Sequence, residues 1–239
     1  MDYNSPFIKL LETIANMIIV SLLWLLFSMP VITVVASCSA LYHTVNKIIF
    51  GPGRGNGVFK DFFESYKQNL VPGIKLTLLF AILAFFIFEG LWTGYQFYKV
   101  SILGMLYFGL GIIITLVVGT MVINVAPVLS RFEAPISSII RMSIYFAMKH
   151  PLRSIFNVLL LIAMFWAVEM LPLALVIVPA LYTDLIRAPL EKDMLPIIKD
   201  NNLVSLVAEE PEAQPAEETA VTSSYDLNEK MSKQRKKGK

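Results

Sequence analysis

Four long apolar stretches constrain the fold of this chain more than any other feature. Three of them, Ile14–Ala36, Ile74–Trp92 and Ile102–Ala126, each approach or exceed the roughly 20 apolar residues with which a helix crosses a bilayer core about 30 Å thick. Strands of this length, without alternating polarity, would leave backbone groups unpaired in lipid. The pattern therefore predicts an all-α fold, a polytopic transmembrane helical bundle.

The fourth apolar stretch, Ser154–Ile186, is too long for one ordinary span and short for two. Pro172 and Pro179 interrupt it, and proline removes a backbone donor and disfavours a continuous helix. The stretch is either a bent helix or a tight helical hairpin broken at Pro172. The sequence thus predicts four to five spans.

Basic residues predict the orientation, because cytoplasmic loops of membrane proteins are enriched in Lys and Arg. The N-terminus holds Lys9 against Asp2 and Glu12, which places it outside. A cytoplasmic C-terminus then requires an odd number of crossings, so five spans are preferred. The segments expected inside lie between spans one and two and between spans three and four, and their basic residues are Lys47, Arg54, Lys60, Lys67, Arg131, Arg141, Lys149 and Arg153.

The chain changes character after residue 190. Overall, 56% of the residues are hydrophobic and 16% are charged, yet residues 191–239 hold 18 of the 38 charged side chains. Such a composition is typical of disorder. We therefore expect a transmembrane helical domain over residues 1–190 and a disordered, acidic-then-basic cytoplasmic tail over residues 191–239. The basic end, Lys230–Lys239, is expected to attract anionic lipid, whereas no nucleic-acid binding is expected, because the tail lacks interleaved aromatic residues.

Aromatic residues in the first inside segment follow a helical period. They recur at i, i+3, i+4 and i+7, which places them on one face of an amphipathic interfacial helix. This face is a candidate docking surface for a cytoplasmic partner, and the alternative is an elbow helix packed on the bundle. The four residues are Phe59, Phe62, Phe63 and Tyr66.

Few ionisable residues lie within the apolar stretches, where a charge costs about 2.5–3.5 kcal/mol at mid-membrane. Glu89 and Glu169 both fall near the predicted outer face, where Lys99 joins them in a candidate polar site. A transporter would use such carboxylates for a cation, a proton or sugar hydroxyls. The alternative is that each carboxylate simply reaches the membrane interface. Asp184 and Arg187, three residues apart, are predicted to form an ion pair at a helix end.

Residues for catalysis or metal binding are sparse. A single cysteine, Cys38, excludes a disulfide framework and a cysteine-based zinc site. His43 and His150 suggest a Cys38–His43 pair or a two-histidine metal site, but no catalytic motif accompanies them. We therefore expect no catalytic residue, no cofactor and no metal, and we predict that the protein is not an enzyme.

Three short segments resemble the YesL-like membrane proteins, the family called domain of unknown function 624. The resemblance covers about residues 5–190 and is most specific in the first seventy. The residues that carry it are Trp24-Leu25-Leu26-Phe27-Ser28-Met29-Pro30-Val31-Ile32-Thr33, Ser39-Ala40-Leu41-Tyr42 and Phe59-Lys60-Asp61-Phe62-Phe63-Glu64-Ser65-Tyr66-Lys67-Gln68-Asn69.

The resemblance implies a bacterial cell-membrane protein with a role near sugar uptake, since members of that family are often encoded beside carbohydrate transporters. It supplies no catalytic residues. The function expected is a non-enzymatic accessory or assembly factor, with the lipid bilayer and carbohydrate transporter subunits as partners. The alternative is a small-solute transporter or channel that uses Glu89 and Glu169.

Overall fold

The protein is all-helical in the part of the chain that the computed structural model describes, residues 6–50 and 57–200. Two short 3-10 turns, Val31–Thr33 and Pro172–Val176, connect consecutive helices. Within the described residues the seven α-helices are, in chain order, α1 (Pro6–Ser28), α2 (Val34–Phe50), α3 (Val58–Phe97), α4 (Ile102–Arg131), α5 (Ile136–Lys149), α6 (Pro151–Met170) and α7 (Val178–Asp200).

Four of these helices are long and apolar enough to cross a membrane, judged by length and composition: α1, α3, α4 and α6. The number lies within the predicted range, but the preferred number of five is not reached among the described residues. The predicted break at Pro172 is present, because α6 ends at Met170. The second half of that apolar stretch enters α7, which also carries Asp184, Arg187 and Glu191 and does not qualify as a span.

The first predicted span, Ile14–Ala36, differs from the structure. α1 ends at Ser28, two residues before Pro30. The ring of a proline clashes with the residue before it, so helical backbone angles are unfavourable at Met29. α2 then packs back against α1, and Trp24 Nε1 donates to Cys38 Sγ at 3.3 Å. The two helices form a hairpin whose tip exposes the apolar residues Met29, Val31 and Ile32.

α3 is one helix of 40 residues that unites the predicted amphipathic segment with the second predicted span. Near its middle it contacts α2 closely: Val35 N donates to Thr77 Oγ1 at 3.4 Å, and Gly73 lies against Ala36. Beyond this contact α3 and α4 pack on each other at two glycines. Phe108 of α4 lies against Gly94 of α3, and Phe97 of α3 lies against Gly104 of α4, where a side chain would leave no room.

The core has two parts. One part joins α3, α4, α5 and α7 around Leu76, Val128, Ile139 and Met194. The other joins α1, α2, α3 and α7 around Val20, Leu41, Phe62 and Ala180. α7 belongs to both. The first backbone N–H groups of a helix have no partner within the helix, and one of these in α7, Ala180 N, donates to Ser21 Oγ of α1 at 3.2 Å.

The boundary predicted at residue 190 is placed too early, since α7 continues to Asp200 and buries Leu190 and Met194. The apolar spacing of Ile186, Leu190 and Met194 keeps one face of this helix on the core, although the charge density rises here. The remaining tail, residues 201–239, and the basic cluster Lys230–Lys239 lie outside the described residues.

Substituting Gly73 with alanine is expected to destabilise the fold by about 1–3 kcal/mol, the range for overpacking. A Cβ at this position would lie 2.7 Å from Ala36 Cβ and 2.8 Å from the Ala36 nitrogen, so α2 and α3 must separate. Thermal unfolding of the purified protein in detergent measures the change.

The matched control is Gly109→Ala in α4, where an added Cβ meets nothing within 4 Å. Alanine in a helix is favoured over glycine by about 0.5–1 kcal/mol, so this variant is expected to match or exceed the parent in stability. Equal unfolding temperatures for the two variants would contradict close α2–α3 packing.

Candidate functional site

A buried carboxylate on α7, Glu191, connects three helices. Its Oε1 accepts hydrogen bonds from Tyr42 Oη at 2.9 Å and from Arg131 Nε at 2.9 Å. The Arg131 Nη2 lies 2.9 Å from the same oxygen, and the two charged side chains are 12% and 9% exposed. This group, Tyr42, Arg131 and Glu191, is called the Glu191 triad below.

Charge pairing explains why a carboxylate is stable at this place. An unpaired charge at low exposure is costly, whereas a charge with an opposite partner and a further hydrogen bond is tolerated. Burial, followed by the nearby Glu191 carboxylate, raises the pKa of Tyr42, so its hydroxyl remains protonated and donates. The triad therefore holds α7 against α2 and α4.

Arg187, one turn before the triad on α7, makes a second buried contact. Its Nη2 lies 2.9 Å from Asp184 Oδ1, which confirms the predicted ion pair, and its Nη1 donates to Asn46 Oδ1 at 3.4 Å. The Arg187 side chain is 5% exposed, while Asp184 is 31% exposed. The ion pair lies within α7 and not at a helix end as predicted, and the Arg187–Asn46 hydrogen bond ties α7 to α2.

Asp193 receives three basic groups from the junction of α5 and α6. Lys149 Nζ lies at 3.2 Å, His150 Nε2 at 3.3 Å and Arg153 Nη1 at 3.1 Å from its carboxylate oxygens. Pro151 occupies the first turn of α6, a position where its missing donor costs nothing. These contacts anchor the end of α7 to the α5–α6 junction.

His43 lies on α2 beside the triad and is mostly buried. Burial is the main cause that lowers the pKa of His43 to about 4, and the positive charges of Arg131 and Lys47 add to it. The negative charges of Asp61 and Glu64 act in the opposite direction but are outweighed. Lys47 itself pairs with Asp61 at 2.7 Å across α2 and α3. His43 is therefore neutral at physiological pH.

An apolar cavity of about 580 Å³ lies above the triad. Residues of α1, α2, α4, α6 and α7 form its walls, and the ring of Tyr42 belongs both to the wall and to the triad. The lining residues include Trp24, Cys38, Val122, Ala126, Leu161, Phe165, Tyr182 and Thr183. The volume falls within the range of about 300–1,000 Å³ that is typical of small-molecule sites.

The three residues of the predicted outer polar site do not contact one another in the structure. Glu89 lies on α3 and Glu169 at the end of α6, and both are exposed. Lys99 follows α3 and lies over the ring of Tyr98 at 5.4 Å. In the described part of the chain, no hydrogen bond or ion pair joins these three residues, and their convergence stays a prediction.

The predicted docking face is divided by the structure. Phe62 is fully buried, and the ring centre of Tyr66 lies 4.8 Å from that of Phe27 of α1. These two contacts are those expected of an elbow helix packed on the bundle. Phe59 and Phe63 remain 62% and 47% exposed. A docking role stays a prediction for these two residues.

The candidates for catalysis are separated from one another. The Cys38 thiol accepts from Trp24, and burial raises its pKa, which disfavours the nucleophilic thiolate. His150 contacts Asp193, whereas His43 lies beside Arg131 and Lys47. Among residues 6–50 and 57–200, no group of three or more His, Cys, Asp or Glu side chains is arranged to hold a metal ion.

Sequence reasoning missed the Glu191 triad and the Asp193 cluster because residues 191–200 were assigned to the tail. A usable signal was present: apolar residues recur at positions 186, 190 and 194, while charged residues lie between them. Tyr42 gave no such signal, since its partner lies 149 positions away in the sequence.

Replacing Glu191 with methionine is expected to destabilise the protein by about 3–5 kcal/mol, because Arg131 then keeps a buried charge without its partner. The double variant Arg131→Met with Glu191→Met removes both charges and is expected to recover most of that loss. Chemical unfolding in detergent gives the free energies of unfolding of these two variants and of Arg131→Met alone. A double variant as unstable as the sum of the single variants would contradict the pairing.

His43 is expected to make stability depend on pH between about 6.5 and 4. As pH falls through this window, the unfolded chain binds a proton at a normal histidine pKa of about 6.5, while the folded chain does not, so stability decreases. His43→Gln is expected to remove this component. Unfolding temperatures of both proteins from pH 7 to pH 4 measure it, and parallel curves would contradict a neutral, buried His43.

Residues 17–91 match the family model of a family of proteins of unknown function, DUF624. The matched segment includes most of α1, all of α2 and the greater part of α3, and thus contributes Trp24, Cys38, Tyr42 and His43 to the region described above. The chain shows no significant similarity to a curated protein or to a solved structure. The match confirms, over residues 17–91, the resemblance to the YesL-like family, DUF624.

Proposed function

We propose that this protein is a non-enzymatic accessory or assembly subunit of a carbohydrate uptake system, and that it binds a partner in the membrane through the α3–α4 hairpin. The observation that carries the proposal is the large exposed apolar surface of this hairpin, which includes a charged residue. The link to carbohydrates is supported by the family resemblance alone.

The hairpin packs on itself and leaves its outer faces uncovered. Its contact surface is narrow, at Gly94 against Phe108 and at Gly111 against Leu91. In the most apolar 18-residue window of α3, 11% of the residues are buried. The large exposed residues on α3 include Leu78, Ile82, Phe85, Phe86, Phe88, Trp92 and Tyr95, and those on α4 include Met105, Leu106, Leu110, Ile113 and Val117.

Glu89 distinguishes this surface from one that contacts lipid alone. It is exposed on α3 among Phe85, Phe86 and Trp92. At 1.5 Å per residue it lies about 13 Å along the helix from Tyr98, where the hairpin turns. A carboxylate in hydrocarbon is costly, so a polar or basic side chain of a partner helix would stabilise Glu89 there.

A non-enzymatic role is supported by what the chemically capable residues contact. Glu191 and Asp193 are held by cations of the same chain, and Cys38 accepts from Trp24. These contacts restrain α7 and the α1–α2 hairpin. They therefore support a structural use of the polar residues.

The transporter alternative receives less support from the geometry. It requires Glu89 and Glu169 to line one path, yet each is exposed and no hydrogen bond or ion pair joins them in the described residues. The cavity beside α6 is lined almost entirely by apolar side chains, which offer little to a cation or a sugar.

A photo-crosslinking amino acid placed at Phe86, which is 67% exposed, is expected to capture a membrane-spanning subunit of a sugar permease in native membranes. The same probe at Leu76, which is fully buried, is the matched control and is expected to give no product with another protein. Mass spectrometry identifies the captured protein, and sugar uptake by cells that lack this chain is expected to fall.

Two variants test the contribution of the carboxylate. Glu89→Gln is expected to reduce the yield of the cross-link, whereas Glu64→Gln, also exposed on α3 but outside its apolar part, is expected to leave it unchanged. Products with lipid or with a second copy alone, together with unchanged sugar uptake, would contradict the proposal.

A further inference from the structure

The walls of the apolar cavity specify the chemistry of an occupant. The side chains that line it are almost entirely aliphatic or aromatic, among them Ala126 of α4 and Leu161 and Phe165 of α6. A cavity with such walls does not hold ordered water well, because water needs two to four polar partners. A ligand that fits this cavity is therefore expected to be an apolar group.

The few polar side chains in the wall already have partners within the protein. Trp24 Nε1 donates to Cys38 Sγ at 3.3 Å, and Tyr42 Oη donates to Glu191 at 2.9 Å. Thr183 Oγ1 donates to the Pro179 carbonyl at 2.8 Å.

The remaining hydroxyl of the wall is also occupied. Tyr182 Oη donates to the carbonyl oxygen of Asn157 at 3.5 Å. A ligand that needs hydrogen-bond donors, such as a phosphate group, would have to break these contacts to bind, and the wall offers a sugar few acceptors. A hydrocarbon chain needs neither.

The cavity is continuous with the exposed surface of α6. Leu161 and Phe165 line it and are also 44% and 71% exposed. α6 is one of the four helices long and apolar enough to cross a membrane. In a bilayer this opening faces lipid tails, so hydrocarbon is present at the entrance at high concentration.

We propose that this cavity is a binding site for one acyl chain of a membrane phospholipid, which enters beside Leu161 and Phe165 and lies against Trp24, Cys38 and the ring of Tyr42. An occupied cavity restores the dispersion contacts that the lining residues otherwise lack. The acyl chain thus packs between α1, α2, α4 and α6, directly above the Glu191 triad. This inference does not depend on the accessory function or on any protein partner.

Photo-labelling tests the site in the full-length protein reconstituted into phospholipid nanodiscs. The probe is a phosphatidylglycerol with a diazirine at the end of one acyl chain. Labelled residues are expected on the cavity sides of α6 and α4, near Leu161 and Val122, in addition to the general labelling of the exposed helix faces. Peptide mass spectrometry locates the labels.

Two substitutions fill the cavity from different positions. Ala126→Phe and Val122→Phe both place a ring in it, and each is expected to reduce labelling of the cavity residues several-fold. Ala84→Phe, on an exposed part of α3, is the matched control and is expected to leave the pattern unchanged. Because two filling variants are used, a folding defect in one leaves the other to decide.

The result that would overturn the proposal is cavity labelling that is absent from the parent, or equal in the parent and in the folded filling variants. Labelling that is lost in Ala126→Phe and Val122→Phe but retained in Ala84→Phe supports the acyl-chain site.

Discussion

The Glu191 carboxylate is the interaction on which the arrangement of the helices depends most. Its oxygen joins Tyr42 of α2 and Arg131 of α4 to α7, three elements that apolar packing alone would align only loosely. An ion pair of this kind adds little net stability compared with apolar residues, but its loss is costly because a charge is left buried. We therefore infer that the triad determines which face of α7 contacts the bundle.

Arg187 and Asp193 extend the same principle along α7. Arg187 reaches Asn46 on one side, and Asp193 receives the basic groups of the α5–α6 junction on the other. Charges on a helix that also carries Leu190 and Met194 are thus used for contacts within the fold. The helix is too polar to qualify as a span, yet like α3 it contributes buried residues to both parts of the core.

The α3–α4 hairpin contrasts with this region. Its helices meet through glycines that allow close approach, as expected where packing replaces hydrophobic association. Its outer faces are apolar and exposed, with Glu89 among them. The protein thus combines a part stabilised by internal ion pairs with a part whose surface is available to lipid or to other helices.

The amino-acid sequence is sufficient to predict the helical class, the apolar stretches from which the membrane-length helices are built, the break at Pro172 and the Asp184–Arg187 pair. These properties are local, since they follow from apolar length, proline chemistry and helical spacing. The sequence also carried the YesL-like resemblance that the family match confirms over residues 17–91. By contrast, the α1–α2 hairpin, the burial of Phe62 against Phe27 and the Tyr42–Glu191 contact were decided by the tertiary structure. Each depends on residues from different helices, and Tyr42 and Glu191 lie 149 positions apart, so their contact arises only when the helices pack.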